Sequence, residues 1–351
     1  MNILITGNMG YVGPMVVHHL RRIFPSARIE GIDAGFFAHC LTNVQQLPEV
    51  QLDNQHYCDV REAPESLLEG VDAVVQLAAV SNDPMGKRFE RVTDEVNFRS
   101  SIRLAELARK HGVHNYVFAS SCSVYGAASA TPRREVDELN PLTAYARSKV
   151  NVENALREAD LGSMVVTCLR FATACGMSDR LRLDLVLNDF VACALASGKI
   201  TVLSDGTPWR PLIDVKDMAR AIEWASTRTA ENGGRFLVVN AGSDNWNYQV
   251  KDLAEAVAEA LPGTEISINR NAQPDNRSYR VDFSLFKSLA PQHVPQQTLP
   301  GSIAALRDGL REMGFNDPDF RNSQYIRLKV LEKHMNADLL TDDLRWVCRS
   351  F

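Results

Sequence analysis

Tyr145-Ala146-Arg147-Ser148-Lys149 sets a phenol and an ammonium four residues apart. On a helix that spacing puts both on one face, one turn from each other. Free tyrosine is a poor base at neutral pH, because its pKa is about 10. A neighbouring cation favours the phenolate and lowers that value. Reaching neutrality takes about three units, or roughly 4 kcal/mol. One lysine supplies part of it, and a positively charged nicotinamide ring alongside would supply the rest. The pair therefore has a use where a dinucleotide lies beside it, and is otherwise an ordinary surface feature.

The elements that would position such a dinucleotide begin at the N-terminus. Asn2-Ile3-Leu4-Ile5-Thr6 is a short apolar run, read as a buried strand. It enters Gly7-Asn8-Met9-Gly10-Tyr11-Val12-Gly13, after which Val16, Val17, Leu20 and Ile23 recur at helical spacing. Strand, glycine turn and helix in that order is the context of a phosphate-binding loop. The helix N-terminus offers free N–H groups and partial positive charge to a diphosphate. The next strand, Arg28 to Ile32, ends on Asp33, about twenty residues past the loop, where a carboxylate binds the adenosine ribose hydroxyls. A carboxylate there repels a 2′-phosphate, so the cofactor is read as NAD rather than NADP.

Further strands are read at Ala73–Ala79, Tyr116–Ala119 and Met164–Leu169, alternating with helical patterns. This alternation predicts an α/β fold: a doubly wound parallel sheet, Rossmann-like, with ligands at the carboxyl ends of its strands. Residues 1–173 are expected to form the dinucleotide-binding domain, completed by about 208–243. Residues 174–351 are expected to form a smaller substrate-binding lobe. Asp184 to Val191 reads as a helix, with Asn188 a substrate contact.

Composition bounds the class. The chain has 351 residues, 45% hydrophobic and 23% charged, with net charge -5 and no basic tract. That argues against a nucleic-acid surface. No apolar run reaches the length of a membrane span, and the chain opens into a strand without a charged leader, so a cytoplasmic location is expected. The seven cysteines are scattered and lack a CxxC pair, and the histidines are dispersed, so no metal site is expected.

With these residues in hand, the chain resembles the extended short-chain dehydrogenase/reductase family, in its NAD-dependent nucleotide-sugar epimerase and dehydratase branch. Thr6 to Gly13 resembles the family's TGxxGxxG, which implies cofactor contacts at Gly7, Gly10, Tyr11, Val12 and Gly13 beside Asp33. Asp59-Val60 resembles its adenine-contacting pair, and Leu77-Ala78-Ala79 the strand end lining the cofactor. Asn97 matches a helix asparagine near the active site. Phe171 falls in the stretch that resembles the family's Arg-Tyr-Phe-Asn and is carried over as a cofactor contact. Aligning on Val124-Tyr125-Gly126 implies Ser121 as the catalytic hydroxyl, with Tyr145 and Lys149 the catalytic pair. Tyr145 would take a substrate hydroxyl proton, Lys149 would lower the tyrosine pKa and hold the nicotinamide ribose, and Ser121 would orient the substrate oxygen.

The resemblance implies a nucleotide-sugar substrate bound by Ser81, Ser121, Ser123, Thr173, Asn188, Arg210 and Arg277. Arg210 stands where the family grips a nucleotide diphosphate, and Thr173 replaces the family's usual asparagine. Family 4,6-dehydratases carry Asp-Glu where this chain has Cys122-Ser123, which removes the pair that eliminates water. Epimerisation through a transient ketone, most simply at C4, is therefore the expected reaction. A dehydrogenase or reductase with exchangeable cofactor and a non-catalytic dinucleotide sensor are the alternatives. A homodimer is expected from the resemblance. No role is assigned to the segment after Phe315.

Overall fold

The computed structural model describes residues 1–127, 131–269, 271–272 and 278–347. Its strands are β1 (Asn2–Thr6), β2 (Arg28–Asp33), β3 (Asn54–Tyr57), β4 (Ala73–Gln76), β5 (Asn115–Ser121), β6 (Val165–Phe171), β7 (Thr173–Cys175), β8 (Lys199–Val202), β9 (Trp209–Asp214), β10 (Phe236–Ala241), β11 (Asn247–Gln249) and β12 (Glu265–Ile268). Seven of them form one sheet in the order β10-β6-β5-β4-β1-β2-β3. Every pairing in it is parallel. The doubly wound, Rossmann-like α/β sheet expected from the alternation is what the chain forms.

A parallel sheet of this kind is covered on both faces, so its strands are apolar throughout and alternate between two cores. Ile3, Ile5, Val75 and Val117 enter one cluster, with Val16, Leu20 and Ile222 of the helices Gly13–Ile23 and Val215–Thr227. Leu4, Val74, Tyr116 and Phe118 enter the other, with Leu104 and Val152 of the helices Ser100–Lys110 and Ala144–Glu158. The strand order reverses between β1 and β4, and a crevice opens at such a switch point. Thr6 fastens the two strand ends there. Its hydroxyl bonds Gln76 and accepts the Ala78 N–H at 3.2 Å.

The second half is built on smaller sheets. β9 pairs with β7 in parallel and with β11 antiparallel, and β8 pairs with β12. Of the strands in 208–243, β10 therefore joins the large sheet and β9 does not. The helix expected over Asp184–Val191 begins at Val186, because the Asp184 carboxylate is bound to Arg182 and Asn82 instead of starting the helix.

The C-terminal segment returns to the first half of the chain. Trp346 Nε1 donates to the Ala34 carbonyl at 2.6 Å, and Arg61 donates to the Leu344 carbonyl at 3.1 Å. The helix Arg327–Asn336 brings Leu331 against Val80 and Phe89. These residues pack beside the ends of β2, β3 and β4, not on the small sheets alone. Among the described residues no helix is long and apolar enough to cross a membrane.

Candidate active site

Gly7 turns the chain out of β1 with a φ of 73°, where a side chain is strained. A Cβ there would stand 2.6 Å from the Ala78 N, so the turn lies directly against the end of β4. A Cβ on Gly13 would fall 2.1 Å from the Asn8 carbonyl oxygen. The helix that follows has Pro14 in its first turn, no acidic residue there and no side-chain cap. Its leading N–H groups and their partial positive charge are thus left for a ligand. Asp33 completes this wall. Its carboxylate accepts the Met9 N–H at 3.0 Å and the Gly35 N–H at 2.8 Å, while burial raises its pKa.

The opposite wall is the helix Ala144–Glu158. Thr143 caps it by accepting the Ala146 N–H, and donates to Asp83 at 2.7 Å. Gly86 lets a neighbouring helix approach closely, since a Cβ there would lie 3.2 Å from the Tyr145 N. One turn beyond Lys149, the buried Glu153 binds Arg170 of β6 at 2.7 Å and accepts the Ser120 hydroxyl at 2.5 Å. Arg170 also donates to the Tyr125 hydroxyl at 3.0 Å. A buried pair satisfied this fully fixes a helix against a sheet.

Tyr145 and Ser121 are hydrogen-bonded, and burial raises the Tyr145 pKa to about 12 despite that bond. Lys149 Nζ donates to the Ala119 carbonyl at 2.7 Å, and burial lowers its pKa to about 8. Burial biases both groups toward neutrality. Arg182 favours the Tyr145 phenolate, and Asp83 opposes it.

A cavity of about 730 Å³ joins these walls. Gly7, Gly10, Tyr11, Val12, Gly13, Asp33, Asp59, Val60, Leu77, Ala78, Ala79, Lys149 and Phe171 line it, as do Ser81, Ser121, Ser123, Tyr145, Thr173 and Arg210. Among the described residues the buried Ser123 hydroxyl has no hydrogen-bond partner, as a group that binds a ligand would.

Three assignments fare differently. Asn97 does not line the cavity. Its amide binds both backbone groups of Val80, at 2.7 and 3.0 Å, and the Ser148 hydroxyl at 3.1 Å. It clamps the loop after β4 to the Tyr145 helix from a π-helical turn, Asp94–Arg99. Asn188 is also withdrawn, fully buried and spent on Gly176, Tyr11 and Arg182. It positions Tyr11 instead of meeting a substrate. Arg277 lies outside the described residues.

Residues 3–242 match the model of the NAD dependent epimerase/dehydratase family. The chain belongs to that family. It is 29% identical over 235 residues to a Bacillus subtilis (strain 168) protein named an uncharacterized UDP-glucose epimerase, covering 63% of this chain and 71% of the relative. It is 25% identical over 288 residues to the dTDP-glucose 4,6-dehydratase of Streptomyces griseus, covering 80% and 85%. The solved UDP-glucose-4-epimerase of Stenotrophomonas maltophila, with NAD bound, shares its fold at a TM-score of 0.76 and 22% identity, over 90% of this chain and 99% of that one.

Membership of this family makes the chain an NAD-dependent enzyme acting in nucleotide-sugar chemistry. The residues present fit that cofactor: side-chain-free glycines at the turn, an uncapped helix N-terminus and a carboxylate at the end of β2. Gly7 to Gly13 would hold the diphosphate, Asp33 a ribose, and Lys149 the second ribose.

The sequence alone assigns no site role to Arg182, Asp184, Asn82 or Arg327. Arg182 donates to Asp184 at 2.9 and 2.7 Å and to Ser81 at 3.0 Å, and Asn82 donates to Asp184 at 2.7 Å. The one available signal was the run Arg180-Leu181-Arg182-Leu183-Asp184, which alternates charge with apolar residues that are fully buried.

Proposed function

We propose that the chain is an epimerase of a nucleotide-activated sugar, inverting one carbinol centre through a transient ketone. The observation that carries this reading is the Tyr145–Ser121 hydrogen bond on the cavity wall, with Lys149 one turn away. When bound, NAD supplies reversible hydride transfer and a positively charged ring.

The protein's part is acid–base and positional. Tyr145 takes the hydroxyl proton and later returns it. Ser121 donates to the same substrate oxygen and fixes its direction, as a preorganised donor does. Lys149, as an ammonium, and Arg182 favour the phenolate against the cost of burial. Arg210 holds the substrate's diphosphate, for which a guanidinium fork is suited. Ser81, Ser123 and Thr173 bind sugar hydroxyls.

Elimination of water needs a further acid/base pair. Cys122 cannot serve: it is buried, its thiol donates to the Arg170 carbonyl at 3.1 Å, and burial raises its pKa far above neutrality. That supports epimerisation over 4,6-dehydration. The reading includes a cytoplasmic homodimer, which light scattering tests.

A panel of nucleotide sugars incubated with the purified chain tests the reaction. An isomer formed without net reduction of the cofactor supports the proposal. Accumulating NADH identifies a dehydrogenase instead, and loss of water identifies a dehydratase.

A further inference from the structure

The C-terminal segment brings into the cavity a residue that the catalytic scheme leaves unused. Arg180, Arg182 and Arg327 converge where the chain after β7 passes the glycine loop. Ser178 donates to the Tyr11 carbonyl at 2.6 Å, so this stretch is fastened to that loop. Arg180 binds Glu49 at 2.6 and 3.1 Å, and Arg182 binds Asp184 at 2.9 and 2.7 Å. Each of these two cations has its own carboxylate.

Arg327 forms no ion pair among the described residues, although only 1% of it is exposed. It donates to the Gln324 carbonyl at 3.2 Å and the Arg180 carbonyl at 2.7 Å, and it lies 4.9 Å from the centre of the Phe37 ring. Two of its five N–H donors are thus engaged. Burial lowers its pKa to about 10, helped by Arg182 and Arg180 and only partly opposed by Cys40 and by Asp184, whose carboxylate is bound to Arg182. A buried cation in this condition is costly until an anion joins it.

The segment Gly7 to Gly13 contains no lysine or arginine. Its N–H groups alone would meet a diphosphate carrying two negative charges. Arg327 lines the same cavity. We propose that Arg327 is an anion-binding residue of this cavity, and that its partner is a diphosphate, that of the dinucleotide. The C-terminal segment then belongs to the cofactor site and supplies its charge. The inference rests on the assignment of the cavity to a dinucleotide. A nucleotide sugar carries the same group, so the test separates the two sources.

Calorimetry on the cofactor-stripped full chain compares wild type, Arg327→Gln and Arg327→Lys with NAD, adenosine and UDP as ligands. The NAD dissociation constant should rise about tenfold or more in Arg327→Gln, as for loss of a charge-assisted hydrogen bond. Adenosine binding should not change, and Arg327→Lys should recover part of the loss. Inorganic pyrophosphate should raise the melting temperature of wild type and of Arg327→Lys, a readout that survives if Arg327→Gln does not fold. Weakened UDP binding with unchanged NAD binding would keep the diphosphate but assign it to the substrate. Unchanged affinity for both, or a pyrophosphate effect equal in every variant, overturns the inference. A wild-type chain that binds no NAD would overturn the dinucleotide assignment itself.

Discussion

The Lys149 ammonium lies 5.5 Å from the centre of the Tyr145 ring, yet its hydrogen bond goes to the Ala119 carbonyl. The lysine is held by the end of β5 rather than by the phenol. In this arrangement burial disfavours its charge more than the nearby Glu153 carboxylate, itself bound to Arg170, supports it.

That gives a signed pH dependence. Folded Lys149 releases its proton near pH 8, against an ordinary value of 10.5. Below pH 8 both folded and unfolded chains are protonated, and the cost of the buried charge is fully present. Between the two values the unfolded chain binds more protons, so stability rises with pH. Lys149→Met removes this contribution. The stability of wild type minus variant should therefore grow by up to about 3 kcal/mol between pH 7 and pH 10. Urea unfolding of the cofactor-free proteins measures it, and a pH-independent difference contradicts it.

Asp33 holds Met9 and Gly35 through their N–H groups and ends β2 at the cavity. On the proposed assignment, Asp33→Ala removes both the ribose acceptor and the group that would repel a 2′-phosphate. NAD affinity should fall about tenfold or more, and the preference for NAD over NADP should narrow. Titration with each dinucleotide decides it; two unchanged affinities would remove Asp33 from the site.

Gly13 has no room for a side chain, because the Asn8 backbone occupies the position of its Cβ. Gly13→Ala should destabilise the chain by about 3 kcal/mol and abolish cofactor retention. A melting temperature equal to wild type would mean that the loop is not packed as described.

Arg210 lines the cavity from β9, on the small sheet. Arg210→Ala should raise the Michaelis constant for a nucleotide sugar by about tenfold or more, with less effect on a free sugar. Equal effects on both would place the diphosphate elsewhere.

The parts of the site readable in the sequence are those in which consecutive residues carry the signal. The glycine loop and the Tyr145–Lys149 pair each lie within a few consecutive positions, and Asp33 stands at a fixed spacing at the end of the next strand. Asn97 and Asn188 misled for a definable reason. A polar residue among apolar neighbours can face a ligand or clamp buried backbone, and both took the second course. Arg182 and Arg327 were illegible because tertiary packing brings them together: Arg327 donates to a carbonyl 147 residues away. Burial likewise raises the Tyr145 pKa, a contribution that residue spacing does not show.

In the proposed reaction Tyr145 is the proton-transferring group of an enzyme that returns what it removes. Proton NMR of a nucleotide-sugar panel, run with wild type and with Tyr145→Phe, tests this. Wild type should interconvert an isomer pair without net cofactor reduction. Tyr145→Phe should retain bound NAD and turn over about 10²–10⁴-fold more slowly. Full activity in Tyr145→Phe, or a wild-type product that is oxidised or dehydrated, would contradict it.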